Sequence, residues 1–189
     1  MNILVDRLPN SIEINGREYG INSDFRFCLS TILAFEDEEL AVAEKQQIMF
    51  VNLFQEIPED LQEASVRALW FLNGGKDESS AESAGMRLYS FSKDANFIFA
   101  AFRQTHGIDL QTIDYLHWWS FMALFMDLGQ NTTFCELINL RRRVKTGKAT
   151  KEEKAIARDM GEIFNVPEYD NRTLEEREAE RQFLELVGG

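Results

Sequence analysis

Residues 112–128 read TIDYLHWWSFMALFMDL. From Tyr115 to Met126 only His117 and Ser120 are markedly polar, so a helix through this stretch is apolar on every face. Such a helix has no side to give to water and must be enclosed by its neighbours, or covered in part by a partner. A membrane span needs about 20 apolar residues, and this run is too short. The expected fold is therefore mainly α, a compact domain of about six to eight helices gathered round this one. Trp118 and Trp119 are adjacent and point about 100° apart on a helix. At most one of them can face a single partner squarely, while the other enters the core. Trp is a common interface anchor, so Trp118, Trp119, Phe121 and Phe125 are candidate partner-binding residues; the alternative is that all four are packing residues.

Upstream, Ile12 and Ile14, then Tyr19 and Ile21, flank Asn15-Gly16, a dipeptide that tolerates the positive φ of a type I′ turn. The spacing predicts a hairpin at about residues 8–22, too small to stand alone and obliged to lie on helices. Ser23 or Asp24 caps a helix with Phe25, Cys28, Leu29, Ile32 and Leu33 at helical spacing. Glu36-Asp37-Glu38-Glu39 reads as a solvated break. Residues 41–55 place Ile48, Val51 and Phe54 on one stripe, with Met49 and Leu53 beside it. Pro58 suits the first turn of a further helix, facing Leu61, Ala64, Ala68, Leu69 and Leu72 inward. Asn73-Gly74-Gly75 ends that helix. Residues 74–85, GGKDESSAESAG, contain no large apolar side chain and are expected to form a mobile loop.

A helix with Phe91, Ile98, Ala101, Phe102 and Thr105 stops at Gly107. Three capping boxes follow, Thr133…Glu136, Thr150…Glu153 and Thr173…Glu176. The middle one opens an amphipathic helix through Ile156, Met160, Ile163 and Phe164. The expected organisation is one helical domain over 1–166, with a charged C-terminal tail helix over 167–189.

The 189 residues include 20 basic and 32 acidic ones, a net charge of −12. That balance argues against general binding to nucleic acid or an anionic membrane, both of which need a positive surface. Between Arg141 and Arg158, however, eight basic residues meet two acidic ones, so a local +6 sits on a body of −18. Three readings of this segment stay open. Arg141, Arg142, Arg143 and Lys145 contact phosphates; or they complement the C-terminal dipole of the helix they end; or they dock on an acidic surface, including that of another copy of the chain.

Reactive chemistry finds little support. His106 and His117 are the only histidines, with no HExxH or CxxC, and no spacing singles out a carboxylate set for magnesium. Gly74-Gly75-Lys76 and Gly147-Lys148 lack the spacing of a phosphate loop. There is no GxSxG, and Cys28 and Cys135 lie among apolar residues as small hydrophobes. No cofactor and no enzymatic turnover are expected. MNILVDRLPN has neither a basic nor a long apolar region, so secretion is not expected either.

Several strings match a known pattern. R-L-Y-x-F-x-x-D-A stands at Arg87–Ala95, I-F-A-A-F at Ile98–Phe102 and G-I-D-L at Gly107–Leu110. L-H-W-W-x-F stands at Leu116–Phe121 and I-x-x-R at Ile138–Arg141, and the opening LPNSIEINGREYGINSDFR covers 8–26. With these the chain resembles the small tail assembly chaperones of long-tailed phages and prophages of Gram-positive bacteria, encoded before the tape measure protein. It departs from them at His106 and Ser120, where the family often has Tyr and Lys. The resemblance implies a protein of the host cytoplasm that coats the apolar tape measure helix before tail-tube subunits polymerise round it, and that is absent from the finished virion. The tape measure protein is the implied partner, with the major tail tube protein and self-association as further ones. A structural tail or neck subunit, and a nucleic-acid-associated phage factor acting through 141–158, are the alternatives.

Overall fold

Phe121 sits at the centre of the fold, fully buried. Four rings stack near-parallel to it: Phe25 at 5.1 Å, Phe102 at 4.9 Å, Trp118 at 5.5 Å and Phe125 at 6.2 Å between centroids. The computed structural model describes residues 2–76 and 86–166. The tail helix expected over 167–189, with its Thr173 box, and most of the loop expected over 74–85 lie outside the described residues.

The elements run β1 (Ser11–Ile14), β2 (Arg17–Gly20), α1 (Phe25–Glu36), α2 (Val42–Leu53), α3 (Leu61–Leu72), α4 (Ala95–His106), α5 (Trp118–Met126), α6 (Thr133–Lys145) and α7 (Lys151–Asp159). A 3₁₀ turn at Gly161–Ile163 follows. The fold is mainly α with an N-terminal hairpin, as the apolar run and the Asn-Gly turn predict.

The hairpin pairs Ile12 with Tyr19 and Ile14 with Arg17. Asn15 at φ 50° and Gly16 at φ 79° make the turn, both in the left-handed region a type I′ turn requires. Ile12, Ile14 and Tyr19 are buried, and β1 lies against α3. Ile21 continues the pairing by bridging to Phe54. Of the two cap candidates, Asp24 caps α1 by accepting from the Arg26 N–H, while the Ser23 hydroxyl is buried against Asn10 and Tyr115.

Several local expectations shift by a residue or a turn. In α2 the inward residues are Met49, Phe50 and Leu53, and Val51 is exposed. Ile48 is half-buried, and Phe54 is buried just past the helix end. Three-residue spacing falls behind a 3.6-residue helix, so the 48/51/54 stripe drifts off the buried face. Pro58 is fully buried but lies before the cap of α3, which is Asp60. Leu61 is consequently exposed, and Phe71 takes a core place alongside Ala64, Ala68 and Leu72. The cap of α6 is Thr132, not Thr133; its side chain accepts from the Cys135 N–H. The box at Thr150 and Glu153 forms as expected. The helix ends before Ile163, however: Ile156 on α7 and Ile163 in the 3₁₀ turn after it remain about half exposed, and Ala157 is the buried contact.

The central helix is also shorter than its apolar run. His117 stops it, because its ring is the cap: Nδ1 accepts from the Trp119 N–H at 3.0 Å, and Nε2 donates to the Pro9 carbonyl at 3.0 Å. Those bonds fix the neutral tautomer, and burial holds the imidazole below its ordinary pKa of 6.5.

Candidate functional site

A groove of about 580 Å³ opens beside the central helix. Trp118, Met122, Phe125 and Met126 come to it from α5, and Phe134, Cys135, Ile138 and Arg142 from α6. Ile32 and Glu36 come from α1, Leu72 and Asn73 from the end of α3, and residues 86–89 and Phe91 form a further wall. The lining is mostly apolar and includes aromatic rings, with Gln130 and Asn139 adding amides. Met86 and Met126 stand 46% and 78% exposed at its mouth.

Two tryptophan hydrogen bonds hold the floor. Trp118 Nε1 donates to the Leu72 carbonyl at 2.9 Å, and Trp119 Nε1 donates to the Phe71 carbonyl at 2.8 Å. Indole carries one donor, and each here meets a backbone acceptor near the C-terminus of α3, which fixes α5 against α3. Gly75 then passes so close that a Cβ there would stand 2.6 Å from Trp119 Cη2.

The wall at 86–91 has no regular secondary structure and is clamped by two buried ion pairs. Glu36 accepts from Arg87 Nη2 at 2.8 Å, the Ser90 hydroxyl at 2.7 Å, and the N–H groups of Phe91 and Ser92 at 3.1 and 3.0 Å. The expectation that Glu36 belongs to a solvated break is therefore corrected: the break begins at Asp37, and Glu36 satisfies donors of a segment more than fifty positions away. On the other side Arg141 and Asp94 form a two-pronged pair at 2.7 and 3.0 Å, each 1% exposed. Arg141 also donates to the carbonyls of Leu88, Ile163 and Phe164 at 3.0, 2.6 and 2.9 Å. All five guanidinium N–H groups are occupied.

The predicted partner-binding residues therefore separate. Trp118 and Phe125 floor the groove, while Trp119 and Phe121 are buried away from it. All four are buried in the core. Arg141 is corrected from a surface cation to a buried structural one. Arg143 pairs with Glu153 at 2.8 Å, and Lys145 Nζ donates to the Arg87 carbonyl at 3.1 Å. Arg142 alone of this group reaches the groove, at its rim. The basic segment is thus partly consumed by internal partners, which the count of +6 could not reveal.

Sequence reasoning missed Glu36, Arg87 and Asp94 as determinants of this site. Arg87 and Asp94 do stand in the R-L-Y-x-F-x-x-D-A string, and Arg141 closes the I-x-x-R string, so two of the quoted elements meet in one ion pair. Spacing along the chain carried no sign of that.

The groove offers contact surface more than reactive groups. Burial pushes the Cys28 thiol up, away from the reactive thiolate. Cys135 Sγ bonds to the Leu128 carbonyl, and His106 Nε2 lies 2.9 Å from the Leu124 carbonyl. Among the described residues no group of three or more His, Cys, Asp or Glu side chains could hold a metal ion, and no helix is long and apolar enough to cross a membrane.

A family model described as bacteriophage Gp15 protein matches residues 4–166. No curated protein and no solved structure matches the chain.

Proposed function

Because the chain belongs to the bacteriophage Gp15 protein family, we propose that it is a tail assembly chaperone, a binding protein without turnover that keeps the tape measure protein soluble until tail-tube subunits enclose it. The observation that carries this reading is the groove at the α5–α6 face. It is mostly apolar, edged by two methionines and by Arg142, which no carboxylate pairs with among the described residues, and its 86–91 wall is held by buried ion pairs on both sides. A long apolar helix aggregates when bare, and a hydrophobic groove is what an apolar helix face binds. Methionines at the mouth suit a client whose sequence varies along its length, since thioether side chains adapt their shape. The net charge of −12 favours solubility for a coat made of many copies.

The work would take place in the host cytoplasm, and the protein would leave before the virion is complete. Co-expression with the tape measure reading frame of the same phage tests the reading. The expected result is a soluble complex that co-purifies, with no copies of this chain in mass spectra of purified virions. A tape measure protein equally insoluble with and without it, or many copies in the virion, would end the proposal. Of the cations that the nucleic-acid alternative would use, Arg141 is buried against Asp94 and does not reach the surface.

A further inference from the structure

The groove carries one charged side chain that no carboxylate pairs with among the described residues. Arg142 lies in the last turn of α6, exposed, with its side chain at the groove rim. Its sequence neighbours are engaged, Arg141 by Asp94 and Arg143 by Glu153, whereas no acceptor engages the Arg142 guanidinium among the described residues. The groove's own carboxylate cannot serve, because Glu36 is closed off by Arg87, Ser90 and two backbone N–H groups. The rest of the lining is mostly apolar, with Ile32, Met122, Phe125 and Ile138 alongside Met86 and Met126, and the amides of Asn73, Gln130 and Asn139 among them.

That arrangement describes its occupant. An amphipathic helix places residues at i, i+3, i+4 and i+7 into such a groove. The residue at the edge of that stripe then meets Arg142. A carboxylate there forms a charge-assisted, two-pronged hydrogen bond; a lysine there is repelled. The chain's own residues 77–85, DESSAESAG, contain no large apolar side chain that could fill it.

We propose that the groove accepts a client helix with an apolar face and a carboxylate at the edge of that face, paired with Arg142, so that Arg142 sets which helices are taken. The inference rests on the chaperone reading and names the chemistry of its client.

Two labelled peptides of about 18 residues, long enough to be helical, test it. They share one Leu/Met face and carry a flanking row of Glu in one and Lys in the other. Fluorescence anisotropy with the full chain at low salt should show the Glu peptide binding about ten-fold more tightly. Arg142→Glu should invert that preference. Met126→Asp, at a largely exposed position, should weaken both peptides several-fold with an unchanged circular dichroism spectrum. Absence of binding by both peptides, equal affinities, or a preference that survives Arg142→Glu would overturn the proposal. So would two other occupants: a second copy, seen as a dimer in sedimentation that Met126→Asp dissolves, or the chain's own end, seen as peptide binding that appears only after removal of 167–189. Co-purification of the tape measure protein alongside peptides bound without charge preference would sink this inference alone. The opposite pair of results would sink the chaperone reading alone.

Discussion

Arg141 shows how far a side chain's neighbours can override its type. An arginine in a basic run reads as surface, yet here five donors meet five acceptors in the interior. Removing one partner of a buried pair leaves the other desolvated and unanswered, at a cost of about 3–5 kcal/mol. Asp94→Ala should therefore lower urea-unfolding stability by that amount. Adding Arg141→Met should recover only part, because the Ile163 and Phe164 carbonyls lose their donor as well. An Asp94→Ala chain within about 1 kcal/mol of the parent would show that the pair is not structural. His117 gives the residue scale its pH dependence. Its folded pKa lies below 6.5, so the unfolded chain binds the extra proton and stability rises with pH through that region. The contribution is present above about 6.5 and is lost as pH falls towards the depressed folded value. His117→Asn keeps a capping side chain but cannot titrate. Melting curves from pH 7 to 5 should fall less steeply for this variant than for the parent.

Elements here meet through close approaches that allow little substitution. Gly75 ends the α3 connection at φ +79° with Trp119 packed where a Cβ would be, so Gly75→Ala meets both backbone strain and a collision. A loss of about 2–4 kcal/mol is expected, with a changed tryptophan emission as Trp119 is displaced. Gly147 has φ +73° but open space around it, so Gly147→Ala should cost only about 1–2 kcal/mol and leave the emission unchanged. If the two variants behaved alike in thermal melts and fluorescence, the Trp119 contact would be irrelevant. Helix spans and caps were the legible part at this scale. The Asn-Gly turn, the Gly107 stop and the Thr150 box follow from local chemistry, and they form as read. The buried stripe of α2 and the exposed Leu61 did not, because which side of a helix is inward depends on the neighbour it meets.

At the scale of the molecule, the domain expected over 1–166 ends where the family match ends. A chain truncated after Val166 is expected to keep the melting temperature of the full chain, corresponding to a stability change within about 0.5 kcal/mol. A large drop in circular dichroism melts would show that 167–189 belongs to the same folding unit. Charge also changes meaning at this scale. The +6 between Arg141 and Arg158 already counts Glu153, the partner of Arg143, but Arg141 is buried against Asp94 from outside the segment, so the surface available to an anion is smaller than the count implies.

The amino-acid sequence alone determined that this protein is helical, carries an N-terminal hairpin and encloses an aromatic helix. Those outcomes depend on periodicity, caps and turn residues, which act over a few positions. Which aromatic rings became core, which arginine stayed free and which carboxylates closed the groove wall were decided only by the tertiary structure. Glu36 with Arg87, and Asp94 with Arg141, are about fifty positions apart, and the stability of a buried charge depends on what folding brings beside it.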